Sequence, residues 1–256
     1  MNSIKFPESV SVVIPACNEA HRIIASLNML QDFLAQTFVQ HEIICVDDGS
    51  TDGTRELLDD FAQNHPVRLI RFETNRGKGR AIQCGMLAAA GRYRFFTDAD
   101  MPYRLDAFSL AMRQFKTSRC DIVAGDRYLP ESGQSVPSGR FRKPVGRVFS
   151  TLAHCLTDMD IQDSQCGFKG FSEAAAQKIF TGIHTRGYAF DVEIFVLARK
   201  MGLSVCRIPV HLVRHSGSGI RMTRDPFRMI LELFQIALRY RTFRNPSPSA
   251  ASDETR

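Results

Sequence analysis

Residues 94–100, Arg-Phe-Phe-Thr-Asp-Ala-Asp, join an apolar, aromatic half to a half that carries two carboxylates. The first half is typical of a buried β-strand, and the second begins where such a strand would end. Side chains two residues apart in an extended segment lie on the same side of the chain, so Asp98 and Asp100 could face one point. Two clustered carboxylates repel each other unless a cation neutralises them, and Mg²⁺ and Mn²⁺ prefer oxygen ligands. A solvated loop that caps a helix starting near Pro102 is the alternative, so the rest of the chain is needed to decide.

Strands and helices alternate along the first half of the chain. Short apolar runs rich in β-branched or aromatic residues predict strands at 10–14, 42–46, 67–72, 93–97 and 121–125. Apolar residues at helical spacing fall between these runs, and we expect Ser50 or Thr51 to cap the second helix. Four repeats of strand and helix predict an α/β fold with a doubly wound, mostly parallel sheet.

Polar clusters follow three of these strands, at Asn18-Glu19, Asp47-Asp48 and Asp98–Asp100. In a doubly wound sheet, ligands bind beyond the carboxyl ends of the strands. Three independent clusters at one edge are harder to explain as solvated turns than any single cluster. The sequence therefore predicts a binding site at this edge.

The pattern changes after Gly125. We expect one domain over 1–244, with two halves at 8–125 and 126–244. In the second half, the sequence predicts a mobile loop at 129–143, an irregular polar-glycine stretch at 163–171 and a strand at 203–210. Helices are expected at 143–157, 172–180, 190–201 and 226–240, and a disordered tail at 245–256.

The composition is that of an ordinary globular protein of 256 residues. The formal net charge is +6, from 33 basic and 27 acidic residues. Basic residues dominate over 127–147 and 214–244, and such local basic surfaces attract phosphate-bearing partners. These segments do not interleave aromatic and basic residues as single-strand binders do, so we expect no nucleic-acid partner.

Seven cysteines are scattered along the chain, and none forms a Cys-x-x-Cys pair. This usage favours a reducing compartment and argues against a disulfide framework or a zinc site. The N-terminus shows no signal-peptide pattern, and no stretch approaches the roughly 18 apolar residues of a membrane span. We therefore expect a cytoplasmic protein that is not integral to a membrane.

Three motifs each follow a predicted strand: Val-Ile-Pro-Ala-Cys-Asn-Glu at 13–19, Val-Asp-Asp-Gly-Ser at 46–50 and Thr-Asp-Ala-Asp at 97–100. Together they resemble the inverting glycosyltransferase family 2, which has the nucleotide-sugar-binding fold called GT-A. Further segments at 75–81, 163–169 and 187–193 resemble dolichyl-phosphate glucosyltransferases and, less closely, dolichyl-phosphate mannose synthases. The resemblance covers about residues 8–240. It implies that the half at 8–125 binds the nucleotide and that the half at 126–244 faces the acceptor and a membrane.

The resemblance implies a donor site for a nucleotide sugar. Asp98 and Asp100 would hold the diphosphate through Mg²⁺ or Mn²⁺, and Asp47 or Asp48 would accept hydrogen bonds from the uracil or ribose. The other implied donor-site residues are Pro15, Ala16, Asn18, Glu19, Lys78 and Ala99. Mannose synthases often carry a Gln at the position of Pro102, so a third protein ligand to the metal is not identified.

The acceptor implied by the resemblance is a lipid phosphate. A phosphate monoester has a second pKa of about 6 and is already anionic near neutrality, so no strong general base is required. Cations are needed instead to bring two anionic substrates together. The candidates are Arg127, Arg140 and Arg142. Asp163 and Gln165, in the family's acceptor-side segment, are candidate catalytic residues together with Asp98 and Asp100.

The leading hypothesis is inverting transfer of glucose from UDP-glucose to a polyprenyl phosphate, either dolichyl or undecaprenyl. A mannose synthase that uses GDP-mannose and a catalytically silent nucleotide-sugar or membrane-surface binding module are the alternatives. Basic residues flank the apolar faces of the helices at 143–157 and 226–240, which fits a peripheral protein on the cytoplasmic face of a membrane. The alternative is that both faces pack into the core.

Overall fold

A seven-stranded sheet forms the centre of the computed structural model, which describes residues 5–132, 163–213 and 225–240. The strands are β1 (Val10–Ala16), β2 (His41–Asp48), β3 (Val67–Phe72), β4 (Tyr93–Phe96), β5 (Ile122–Asp126), β6 (Lys169–Ser172) and β7 (Val205–Pro209). Their order is β3-β2-β1-β4-β6-β5-β7. Among the strands that the structure describes, only β6 runs antiparallel to its two neighbours, so the predicted mostly parallel sheet is confirmed.

Helices cover both faces of this sheet. They are α1 (Ile23–Thr37), α2 (Thr54–Asn64), α3 (Lys78–Ala88), α4 (Asp106–Ser118), α5 (Glu173–Gly182), α6 (Phe190–Lys200) and α7 (Asp225–Tyr240). Apolar side chains of α1, α2 and α4 share one core with the sheet, and those of α3, α5 and α6 share the other. This two-sided cover is the predicted doubly wound arrangement.

The residues that precede the two carboxylates show how the strand pattern builds both cores. Adjacent side chains of a strand point to opposite faces, so Phe95 enters one core and Phe96 the other. Phe95 meets Phe108 of α4 edge to face, with ring centroids 5.2 Å apart, while Phe96 lies 6.0 Å from Phe171 of β6. Each buried ring contributes roughly 1.5–3 kcal/mol through removal of apolar surface from water. These two rings therefore fix the strand that presents the carboxylates.

Strand β6 was not expected, since 163–171 reads as an irregular polar-glycine stretch. Gly170 and the buried Lys169 pair with Phe95 and Phe96 of β4, where the sequence offers no alternating apolar pattern. Because β6 is antiparallel to its neighbours, its amino end lies at the carboxyl edge of the other strands. The segment 163–168 is thereby brought to the predicted binding edge.

The expected cap of α2 is wrong. The helix begins at Thr54, and its N-cap residue is Gly53 with a φ of +92°, so neither Ser50 nor Thr51 occupies the capping position. The backbone N–H of Thr54 instead donates to the Asp52 carboxylate at 3.0 Å. Ser50 is engaged elsewhere, because its hydroxyl accepts a hydrogen bond from the loop after β1.

The predicted helix at 226–240 is confirmed as α7, but its apolar residues divide between two faces. Leu233, Ile236 and Ala237 are buried in a small core shared with α6. Leu231, Phe234 and Leu238 are 58%, 52% and 77% exposed. The helical spacing in the sequence predicts one apolar face shared by Leu233 and Phe234, whereas the structure places Phe234 on the outer face.

Several expectations concern residues outside the described part of the chain. They are the acceptor-side candidates Arg140 and Arg142, the helix at 143–157, most of the loop at 129–143 and the tail at 245–256. Within the described residues, no helix combines the length and apolar character needed to span a membrane.

Candidate active site

The predicted polar clusters meet at the carboxyl edge of the sheet. Loops that follow β1, β2 and β4 carry Asn18-Glu19, Asp47-Asp48 and Asp98–Asp100. Arg127 follows β5 directly, and Asp163 lies in the segment that precedes the antiparallel β6. The edge therefore combines the sequence-predicted donor side with the sequence-predicted acceptor side.

Hydrogen bonds join the loop after β1 to the loop after β2. Asn18 adopts a left-handed backbone conformation with a φ of +58°, which asparagine tolerates better than most residues. Its N–H donates to Ser50 Oγ at 3.0 Å, and its Oδ1 accepts from the Thr51 N–H at 2.8 Å. The Glu19 N–H donates to Thr54 Oγ1 at 2.8 Å. Together these bonds hold the edge next to Pro15 and Ala16, which end β1.

Asp47 and Asp48 are buried and already organise neighbouring backbone. Asp47 accepts from the Ser50 N–H and from Arg55 Nε, both at 3.0 Å. Asp48 accepts from the N–H groups of Arg76 and Gly77 at 2.6 and 2.9 Å. Burial raises the pKa of Asp48, although these two backbone donors act in the opposite direction. A carboxylate has about four acceptor positions, so both groups retain capacity for a further hydrogen bond.

Lys78 begins α3 and reaches the first carboxylate of the Asp-x-Asp pair. Its Nζ lies 2.5 Å from Asp98 Oδ1. Burial lowers the pKa of the Lys78 ammonium, but the carboxylates of Asp98 and Asp191 outweigh this effect, so the pKa is raised. The ammonium is therefore charged and faces the carboxylate directly.

The glycines beside Lys78 pack against the segment that leads into α6. Gly77 has a φ of +98°, and a Cβ there would overlap the carbonyl oxygen of Arg186. The Gly79 N–H donates to the same carbonyl at 2.8 Å, and a Cβ at Gly79 would lie 2.7 Å from the carbonyl oxygen of Thr185. In the sequence, a lysine between two glycines predicts a loop whose backbone amides and ammonium approach an anion closely. In the structure the Gly77 N–H donates to the Asp48 carboxylate and the Gly79 N–H donates to the Arg186 carbonyl. The Lys78 ammonium pairs with Asp98.

Asp98 and Asp100 occupy different surroundings. Asp98 is in close contact with the backbone of Gly167, where an added Cβ would collide with Asp98 Oδ2. Asp100 Oδ2 lies 3.8 Å from Nη1 of Arg22, which also pairs with Glu19. Burial and the negative charge of Asp98 raise the pKa of Asp100, against the effect of Arg22. A divalent cation bound by both carboxylates would relieve this repulsion.

The donor set of this edge fits a hard divalent cation with few protein ligands. Over residues 5–132, 163–213 and 225–240, no group of three or more His, Cys, Asp or Glu side chains is arranged to hold a metal ion. Mg²⁺ commonly takes one or two carboxylates and completes its shell with water and substrate phosphates. The carboxylates of Asp98 and Asp100 match that requirement, and Pro102 supplies no ligand.

Arg127 and Asp163 form a two-pronged ion pair on the acceptor side. Arg127 Nε lies 2.7 Å from Asp163 Oδ2, and Nη2 lies 2.6 Å from Oδ1. The Arg127 N–H also donates to Oδ2 at 2.9 Å. Burial lowers the pKa of Arg127, but the bonded Asp163 outweighs it and the pKa is raised. Asp163 thus orients a permanently charged guanidinium and leaves Nη1 outside the pair.

A buried lysine, to which sequence reasoning assigned no role, holds the segment that contacts Asp98. Lys169 is fully buried, and its ammonium donates to the carbonyls of Ser164 and Cys166 at 3.0 and 2.7 Å. Its third donor reaches Asp191 Oδ1 at 2.6 Å. Gln165 lies within the same turn and donates weakly to the Tyr188 carbonyl at 3.4 Å. The sequence shows both charges but gives no signal that they pair.

Two glutamates connect α7 to residues 184–189, which lie between α5 and α6. Glu193 accepts from the His184 and Thr185 N–H groups at 3.1 and 2.6 Å, and from the Tyr240 hydroxyl at 2.7 Å. Glu232 of α7 accepts from the Ala189 N–H at 3.2 Å. The segment between α5 and α6, against which Gly77 and Gly79 pack, is thereby fixed from behind.

The doubly wound sheet and the Asp-x-Asp pair at its carboxyl edge define a glycosyltransferase of the GT-A class. The family model "Glycosyl transferase family 2" matches residues 11–180, so the chain belongs to this family. The resemblance stated from the motifs is therefore confirmed.

Curated relatives share most of the chain with this protein. The dolichyl-phosphate beta-glucosyltransferase of Saccharomyces cerevisiae is 34% identical over 249 residues, covering 90% of this chain and 75% of the relative. The enzyme of the same name from Drosophila melanogaster is 33% identical, with 90% and 75% covered. The one from Homo sapiens is 29% identical, with 92% and 76% covered.

Solved structures support the same fold. Glucosyl-3-phosphoglycerate synthase from Mycobacterium tuberculosis, in complex with Mn²⁺, UDP and glucosyl-3-phosphoglycerate, superposes with a TM-score of 0.66 at 20% identity, covering 91% of this chain and 80% of that one. Mannosyl-3-phosphoglycerate synthase from Rubrobacter xylanophilus gives 0.68 at 19%, with 96% and 79% covered. These similarities establish the architecture and leave the substrates to the site itself.

Proposed function

We propose that this protein transfers glucose from UDP-glucose to a polyprenyl phosphate, with inversion at the anomeric carbon. The observation that carries the proposal is the 29–34% identity, over about nine-tenths of the chain, to enzymes named dolichyl-phosphate beta-glucosyltransferase. The site supports it with a carboxylate pair on the donor side and an oriented arginine on the acceptor side.

On the donor side, Asp98 and Asp100 are the proposed ligands of Mg²⁺ or Mn²⁺. When bound, the metal would neutralise the charge that builds on the departing UDP. Lys78 is placed to add a second positive charge from α3. The remaining proposed donor-site residues border the nucleotide pocket: Pro15, Ala16, Asn18, Glu19, Asp47, Asp48 and Ala99.

On the acceptor side, the phosphate of the lipid is the nucleophile. One of its oxygens forms a bond to C1 of glucose while the bond from C1 to the UDP oxygen breaks, which gives the β-linked lipid-phosphate sugar. Asp163 binds Arg127 through both carboxylate oxygens, so we assign it to orienting the guanidinium and not to proton abstraction. Gln165, whose side chain donates weakly to the Tyr188 carbonyl at 3.4 Å, is a further proposed acceptor-side residue.

A lipid surface is the proposed third partner, with the protein peripheral on the cytoplasmic face. The outer face of α7 presents Leu231, Phe234 and Leu238 to solvent, with the exposed Arg228 on the same helix. A helix with an apolar outer face and basic residues is suited to lie in the membrane interface. Anionic lipid would strengthen such binding, and salt would weaken its electrostatic part.

The test is a panel of donors and acceptors. Purified protein is incubated with radiolabelled UDP-glucose or GDP-mannose, together with dolichyl or undecaprenyl phosphate, and the lipid product is extracted into organic solvent. The proposal predicts label in the lipid fraction from UDP-glucose. Label from GDP-mannose alone would favour a mannose synthase, and no transfer from either donor would favour a binding module.

A further inference from the structure

Each carboxylate of the Asp-x-Asp pair already faces a positive charge that belongs to the protein. Lys78 Nζ lies 2.5 Å from Asp98 Oδ1, and Arg22 Nη1 lies 3.8 Å from Asp100 Oδ2. Neither cation was assigned to these carboxylates from sequence, and Arg22 was not considered a site residue. The two pairs come from different elements, since Lys78 begins α3 and Arg22 precedes α1.

Both side chains are partly exposed to solvent. The Lys78 side chain is 23% exposed and the Arg22 side chain is 21% exposed, so neither is fully enclosed in the core. Arg22 is also paired with Glu19, one turn before it, so the guanidinium has a second anchor beside the edge. The buried Lys169 is the contrast, because all three of its donors are engaged inside the protein.

We propose that Lys78 and Arg22 are exchangeable counter-cations of the donor site. Without donor they neutralise Asp98 and Asp100. Once those carboxylates bind a divalent cation, both side chains turn to the oxygens of the nucleoside diphosphate. Arg22 becomes a donor-binding residue on this account. The inference rests on the proposed function, because it requires a nucleoside diphosphate at this edge.

The exchange predicts that metal and nucleotide bind cooperatively. Metal alone must displace two protein cations, whereas metal with diphosphate gives those cations new partners. Coupling of this kind is reciprocal and typically changes each affinity by roughly 5- to 150-fold. A neutral residue in place of either cation should therefore tighten metal binding in the absence of UDP and weaken UDP binding in the presence of metal.

The experiment measures Mn²⁺ binding by the loss of the free-ion electron paramagnetic resonance signal, with and without UDP, and UDP binding by calorimetry. Lys78→Met and Arg22→Gln are compared with the unaltered protein. Lys116→Met is the matched control, because Lys116 carries the same charge as Lys78. Its Nζ lies 2.9 Å from Glu8 Oε1, and this pair is separate from the Asp98 and Asp100 carboxylates. A thermal melt of each variant establishes that it is folded.

We expect Lys78→Met to tighten Mn²⁺ binding without UDP by about fivefold or more, and to weaken UDP binding with Mn²⁺ by about tenfold. Arg22→Gln should shift both affinities in the same directions by less, because its ion pair is longer. Lys116→Met should change neither. Variants that weaken both ligands, or leave Mn²⁺ binding unchanged, would overturn the exchange. Absence of UDP binding to the unaltered protein with Mn²⁺ would instead overturn the donor assignment on which the inference rests.

Discussion

Replacing Lys169 with Met tests whether the buried ion pair holds the site together. The ammonium is fully buried and donates to Asp191 and to the carbonyls of Ser164 and Cys166. Methionine fills similar volume but leaves the Asp191 carboxylate buried without this partner. It also removes the anchor of the turn at 164–166. The residue that follows this turn, Gly167, packs against Asp98.

The expected cost follows from the loss of one partner of a buried pair, about 3–5 kcal/mol of the free energy of unfolding. A protein of this size has a net stability of about 5–15 kcal/mol, so the variant should fold but be markedly weakened. At roughly 2–4 °C per kcal/mol, the melting temperature should fall by about 6–20 °C. Thermal and urea unfolding, followed by circular dichroism, provide the measurement.

A double variant separates the buried charge from lost packing. Lys169→Met with Asp191→Leu removes both charges, and replacing a buried pair by apolar groups is often neutral or stabilising. The double variant should therefore recover most of the stability that Lys169→Met loses. UDP binding should be weaker than in the unaltered protein for both variants, because the turn is no longer anchored. Unchanged melting of Lys169→Met, or a double variant that is less stable than the single one, would refute this account of the pair.

Three further predictions concern metal, acceptor and membrane. Asp100→Ala should abolish transfer and metal-dependent UDP binding with an unchanged melt, and EDTA should have the same effect on the unaltered protein; full activity in either case would contradict the metal role. Arg127→Ala should raise the KM for lipid phosphate far more than that for UDP-glucose, with only partial recovery in Arg127→Lys, which lacks the two-pronged fork; equal effects on both substrates would indicate a structural arginine. Replacing both Phe234 and Leu238 with Ser should reduce flotation with anionic liposomes and leave the melting temperature unchanged. Leu233 lies in the core, so Leu233→Ser should lower the melting temperature by several degrees. Flotation that survives the double replacement would exclude α7 as a membrane contact.

Most of the sheet could be predicted from the sequence because its parallel strands are apolar and short. Val12 and Val13 lie in consecutive positions and enter opposite cores, which explains the continuous apolar run. The edge that carries Asp98 followed from the same rule, since ligands of such sheets lie beyond the strand ends. Local pattern was sufficient wherever one element determined the position of its own residues.

The remainder depends on contacts between distant segments. Lys169 has no apolar alternation around it, so β6 becomes visible only through its pairing with β4 and β5. Arg22 reaches Asp100 across 78 positions of the chain, and Asp163 reaches Arg127 across 36. Leu238 lies on a helix that is apolar on two sides, and periodicity alone cannot tell which side meets α6.

The most direct test of the central claim is the structure of the product. Purified protein is supplied with UDP-glucose, dolichyl phosphate and Mn²⁺, and the extracted lipid is examined by mass spectrometry and by NMR of the anomeric proton. The account predicts a single new lipid with one glucose on the phosphate in the β configuration, absent with the Asp100→Ala variant. An α-linked product, glucose released to water without a lipid product, or equal product from the Asp100→Ala variant would contradict it.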